Sequence, residues 1–155
     1  MKKRLLCVAL LLAVAALLAC DASILHIPDE NGAEDTTLAT LTEEELTDPM
    51  PQVIKRGAKR SNDRDAGTTT FTVRKMSGVE VLDSFEAGES GTCTLTVTSS
   101  LTSGNLRLYV CNGGAIVADI PLGEGQSVTL SGLTGIVSVR AAAESAAFSI
   151  TVTRP

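Results

Sequence analysis

From residue 71 onward, apolar and polar positions alternate with period two. Phe71-Thr72-Val73-Arg74, Thr92-Cys93-Thr94-Leu95-Thr96-Val97 and Leu106-Arg107-Leu108-Tyr109-Val110 show it, as do Ser127–Leu130, Ile136–Arg140 and Phe148-Ser149-Ile150-Thr151-Val152. Val79–Leu82 and Ala115–Ile120 follow it more loosely. Alternation of this kind sends successive side chains to opposite faces of a strand, and Thr and Val suit a pleated, half-buried surface. Gly113-Gly114, Gly123-Glu124-Gly125 and Gly132 punctuate the run as turns. No window in this region has the period of an amphipathic helix longer than three turns. The pattern predicts an all-β fold over 68–155, a small antiparallel β-sandwich of about seven or eight strands.

The N-terminus has a different texture. Lys2, Lys3 and Arg4 precede an unbroken apolar run, Leu5–Ala19, that ends at Cys20. Cations, a short apolar core and small residues near a cleavage point describe a secretory signal peptide. As a helix, the run would span only ~22 Å, short of a hydrocarbon core of about 30 Å, so a permanent membrane-spanning segment is not expected.

The tetrapeptide Leu17-Leu18-Ala19-Cys20 resembles the lipobox of bacterial lipoproteins. That resemblance implies cleavage between Ala19 and Cys20, removing residues 1–19, and transfer of a diacylglyceryl group to the Cys20 thiol. Cleavage after Ala22 by an ordinary signal peptidase is the competing reading. Two or more acyl chains give stable membrane attachment where one gives only marginal residence. In a diderm bacterium, Asp21 behind the lipidated cysteine resembles an inner-membrane retention signal; in a monoderm it carries no such meaning. Over Gly91–Arg154 the strand sequence resembles the pre-peptidase C-terminal type of bacterial β-sandwich, a family of small accessory, non-catalytic domains on exported proteins. Members often carry acids on both sides of the first Leu of the strand that begins here at Leu106. This chain has Asn105 and Arg107 there, which counts against a cation site.

Between signal and sandwich, charge is segregated. Residues 21–54 carry acids and neither Lys nor Arg; residues 55–65 carry Lys55, Arg56, Lys59, Arg60 and Arg64 against Asp63 and Asp65. With few large apolar residues and with Pro28, Pro49 and Pro51, this stretch predicts a disordered tether over 20–67. A brief helical turn over Leu41–Thr47 is the local exception, because Thr42 and Glu45 have capping-box spacing. The basic cluster suits contact with anionic lipid or wall polymer, or a protease-sensitive site. The formal net charge of −5 and the export signal argue against nucleic acid.

Candidate chemistry is sparse. One His, no Trp, one Tyr and three Phe leave little material for a His-based triad, a multi-His metal site or an aromatic sugar platform. Asp83, Glu86 and Glu89, with Asp119 and Glu124, are the only loop carboxylates to weigh for calcium or glycoside hydrolysis. Exposed loop acids are ordinarily just solvated, so neither a metal nor a cofactor is expected. Ser77 and Lys75 offer a Ser–Lys nucleophile in form only. Once Cys7 leaves with the signal and Cys20 is lipidated, Cys93 and Cys111 remain. Their even number in an exported chain favours a disulfide across a hairpin of Thr92–Thr98 and Asn105–Cys111. Alternation argues the other way: with Leu95 and Val97 facing Leu106, Leu108 and Val110, Cys111 points to the opposite side from Cys93, so a bond needs a bulge. The expected function is a membrane-anchored, non-enzymatic envelope protein recognising a protein, wall polymer or glycan. The alternative is an assembly subunit that pairs through a sheet edge.

Overall fold

The structure, a computed structural model, describes residues 38–154; the signal segment, Ala19 and Cys20 lie outside them. In chain order, a helix α1 (Glu43–Thr47) precedes seven strands: β1 (Val53–Arg56), β2 (Lys59–Asp63), β3 (Thr68–Glu86), β4 (Cys93–Asn112), β5 (Ala115–Ile120), β6 (Gln126–Leu130) and β7 (Ile136–Thr153). All pairings are antiparallel, in the order β1-β3-β7-β4-β5, with β2 also on β3 and β6 also on β4. The all-β sandwich expected from the alternation is the fold, but its strands are built differently.

Three pairs of predicted segments are single long strands. Phe71–Arg74 and Val79–Leu82 both lie in β3, Thr92–Val97 and Leu106–Val110 in β4, Ile136–Arg140 and Phe148–Val152 in β7. Each long strand bends at register shifts, between Val73 and Gly78 in β3 and between Leu101 and Asn105 in β4. An inserted residue bends a strand and also flips which side chains face in. Buried positions record that flip: Leu95 and Val97 give way to Leu106, Leu108 and Val110 in β4, and Val139, Ala141 and Ala143 give way to Ala146, Phe148 and Ile150 in β7. Gly104 makes the bend in β4 with a φ of +78°; a Cβ there would stand 2.6 Å from Ala146 Cα, so only glycine fits.

The bends create two leaves. The first holds β2, residues 68–73, 147–153 and 93–101, and β6; the second holds β1, residues 76–86, 136–143 and 105–112, and β5. One core joins them, with Phe71, Leu95, Val97, Phe148 and Ile150 from the first against Leu82, Leu106, Leu108, Val110 and Val139 from the second. The β4–β5 connection is the tight turn Gly113-Gly114, where Asn112 pairs with Ala115.

Two expectations are corrected. The disordered tether does not extend over 38–67: α1, β1 and β2 all lie there. The composition was too polar to form a core of its own, but it did not have to. Leu38, Leu41 and Leu46 bury against the outer face of the second leaf, and edge strands as polar as Lys59–Asp63 need only backbone pairing with β3. Nor is there a disulfide. Cys93 and Cys111 sit near opposite ends of one continuous strand, opposite Leu130 of β6 and Ser138 of β7, and both are free thiols. Cys93 packs against the core between the leaves, whereas Cys111 lies in the separate cluster beneath Leu46 on the outer face of the second leaf, so the hairpin pairing that would have joined them does not form.

Candidate functional site

The site is built where the N-terminal strap, residues 38–52, crosses the outer face of the second leaf. Thr42 caps α1: its hydroxyl accepts from Glu45 N–H at 3.3 Å, and Glu45 Oε2 accepts from Thr42 N–H at 2.8 Å. The Thr42 N–H and its hydroxyl, which donates to Glu45 Oε2 at 2.9 Å, hold the Glu45 carboxyl below its ordinary value. A helix of five residues is marginal alone, and docking stabilises this one. Leu46 is 4% exposed and packs with Val79, Tyr109, Cys111 and Ala142.

The C-terminal end of α1 is met by donors from the sheet. Leu46 O accepts from Tyr109 Oη at 2.9 Å and from Arg140 Nη1 at 3.0 Å, and Arg140 Nη1 also donates to Asp48 O at 2.7 Å. A cation at the carbonyl end of a helix is favourably placed against its dipole. Arg140 Nε donates to Ser138 Oγ at 3.0 Å, so the guanidinium is fixed on both sides. Burial pushes the Tyr109 hydroxyl and the Cys111 thiol up, and both stay neutral at physiological pH.

Two cavities flank the strap. One, of about 520 Å³, lies between Thr40, Leu41, Glu45, Gln52 and Val53 of the strap and β1 and the bend residues Ser77, Gly78, Glu144 and Ser145. Glu144 reaches across its rim to accept from Thr40 N–H and Oγ1–H, each at 2.6 Å, which hold its carboxyl down to about 2. The other, of about 400 Å³, is lined by Thr47, Pro49, Val81, Ser84, Cys111, Gly113, Ser138 and Arg140 among others.

The sequence-level candidates disperse. Asp83 pairs with Arg154 at 2.7 Å, while Glu86 and Glu89 stand exposed at and beyond the end of β3. Asp119 is held by Arg107 at 2.8 Å, and Glu124 is exposed in the β5–β6 loop. Ser77 Oγ accepts from Ser145 N–H at 3.0 Å while Lys75 is exposed. The basic cluster is partly absorbed: Lys55 and Arg60 clasp the Glu80 carboxylate at 2.7 and 2.8 Å and lie over the Phe71 ring. Strand alternation does not mark Arg140 and Tyr109 as polar anchors; the signal the sequence carries is a lone Arg in the run Ile136–Ala143. Among the described residues no three His, Cys, Asp or Glu side chains converge as for a metal, and no helix is long and apolar enough to cross a membrane. The chain matches no family model and no curated protein.

Proposed function

We propose that the chain is a lipid-anchored envelope protein presenting its β domain as a non-catalytic binding or interaction module for a protein, wall polymer or glycan. The observation that carries this is Leu17-Leu18-Ala19-Cys20 behind Lys2, Lys3, Arg4 and a short apolar run. The resemblance of Gly91–Arg154 to accessory domains of exported proteins supports the same reading, and the cavities beside the strap give a binder somewhere to work. The described fold begins at Leu38, eighteen residues beyond Cys20. At most ~65 Å of chain therefore separates lipid from domain in any conformation. The test is the mass of the mature N-terminus after expression in a bacterium. A diacylglyceryl Cys20 that disappears, together with processing, in Cys20→Ser is expected; an unmodified Cys20, or a chain starting at Ser23, overturns it.

One observation favours the assembly reading as the second choice. β5 pairs with β4 on one side and with no described strand on the other, and its Val117 is 47% exposed. An apolar edge like this is a template for another strand. A stable dimer on size-exclusion chromatography that Val117→Lys dissolves would select this reading, and a monomer would select the solitary module.

A further inference from the structure

Two ionised side chains in the described domain are nearly buried, and they are treated differently. Glu80, 8% exposed, has two cations on its carboxylate. Arg140, 7% exposed, has no carboxylate partner among the described residues; its neighbours are a hydroxyl and two main-chain carbonyls. Burying a charge without a counter-charge is costly, and neutral acceptors offset only part of that cost. A guanidinium also carries five N–H donors in a planar fork. Nε and both hydrogens of Nη1 are engaged, while Nη2 makes no hydrogen bond to a described residue.

Arg140 forms part of the wall of the 400 Å³ cavity, a volume within the ~300–1,000 Å³ of small-molecule sites. No Asp or Glu lines it. Asp48, whose main-chain oxygen Arg140 holds, turns its carboxylate away, Oδ1 accepting from Met50 N–H at 2.7 Å. Thr47, Ser84 and Ser138 also line it, the Thr47 hydroxyl donating to Glu43 O at 3.0 Å and Ser138 Oγ accepting from Arg140 Nε, while Pro49, Val81 and the 64%-exposed Ile136 bring an apolar side. The Asn112 amide is already spent on Thr134 and Ile136.

We propose that this cavity binds a small oxyanion group, a carboxylate or a phosphate, on the Nη2 edge of Arg140, with any apolar part of the ligand against Pro49, Val81 and Ile136. The two N–H donors left on Nη2 carry the guanidinium's positive charge, and a charged donor to an oxyanion is among the stronger hydrogen bonds. The inference deepens the binding-module reading by naming the ligand class, but its test does not involve the anchor. A chain lipidated on Cys20 that binds no anion loses this site and keeps that reading; anion binding beside an unmodified Cys20 does the reverse.

The experiment is an NMR titration of the ¹⁵N-labelled full chain in detergent, with inorganic phosphate in one arm and acetate in the other, chloride holding ionic strength constant. Saturable shifts of the Arg140 Nε–H signal and the Gly113 and Gly114 amides, half-complete near ~1 mM, are expected in at least one arm, and the arm that responds assigns phosphate or carboxylate. Ser84→Glu, at an exposed wall position, supplies a competing carboxylate and should weaken binding at least ~10-fold without touching the core. Arg140→Lys should weaken it similarly, since an ammonium has three donors where the guanidinium has five, and the Leu46 and Asp48 carbonyls compete for them. No saturable shift in either arm overturns the proposal, and so does binding that Ser84→Glu leaves unchanged.

Discussion

The two leaves of the sandwich share one core and differ on their outer faces. Outside the first leaf runs a ladder of hydroxyls: Thr68 with Thr153 at 3.3 Å, Thr70 with Thr151 at 3.2 Å, Thr72 with Ser149 at 2.9 Å, Thr94 with Thr129 at 3.2 Å. Outside the second leaf stand Val79, Tyr109, Cys111, Arg140 and Ala142, all buried beneath the strap. The first face is stable against water and has no cover. The second face is apolar with two polar anchors, and residues 38–48 supply the missing layer. Bends in β3, β4 and β7 let the same three strands serve both leaves, so a single chain segment is polar-faced at one end and double-buried at the other. The two cavities described above lie at the covered leaf, where a strap of one short helix does not seal the whole sheet face.

Leu46→Ala is the sharpest way to break that contrast. Its side chain is 4% exposed and fills the gap among Val79, Tyr109, Cys111 and Ala142. Truncating a buried leucine costs ~2–4 kcal/mol, so the urea midpoint should fall accordingly. Alkylation of Cys111, 3% exposed in the intact fold, should accelerate in native buffer. A loss below ~1 kcal/mol, the range of ordinary surface changes, with Cys111 still protected, would mean that the second leaf needs no cover.

What the sequence disclosed follows the same division. The first leaf is legible because each of its segments alternates with solvent on one side, as in Thr94-Leu95-Thr96-Val97. The second leaf is legible only in its inner face. In Leu106–Cys111 and Ile136–Ala143 apolar residues occupy both parities, which requires a covering layer, yet nothing local says which segment provides it. The strap is acidic because its outward side chains face water, and composition alone cannot weigh three leucines against a face they have not yet met. The parity change between Val97 and Leu106 was visible as well. In a hairpin of the two segments it would oppose a Cys93–Cys111 bond; within one strand it is the mark of a bulged corner. Two polar anchors were hidden for a related reason: Tyr109 and Arg140 have meaning only against the carbonyls of Leu46 and Asp48, which are distant in sequence.

Acid should loosen the strap at its other end. Glu144 holds Thr40 through two hydrogen bonds, and its folded value of about 2 lies below the ~4.3 of an unperturbed glutamate. A depressed carboxyl contributes stability that is present above the unfolded value and is lost as pH falls through the folded one. The Thr40 amide shift should therefore move between about pH 4.3 and pH 2, in step with a falling urea midpoint. Glu144→Gln should flatten that dependence while changing stability little at pH 7, because Glu144 is solvent-accessible and its bonds compete with water. An unchanged acid profile in Glu144→Gln would place the sensitivity elsewhere in the strap.

The smallest effect belongs to the uncovered leaf. Thr70 and Thr151 face each other across β3 and β7, and their hydroxyls bond only to one another among the described residues. Replacing both with valine removes donor and acceptor together, so no buried polar group is left unpaired, and a change of that kind is close to neutral. Valine also has at least the strand preference of threonine. The double variant should shift unfolding free energy by no more than ~0.5 kcal/mol and leave Cys111 as protected as before. A loss above ~1.5 kcal/mol, more than the ~1 kcal/mol of a typical net hydrogen bond, would show the threonine ladder to be a structural layer in its own right. The two leaves would then differ in the chemistry of their cover rather than in needing one.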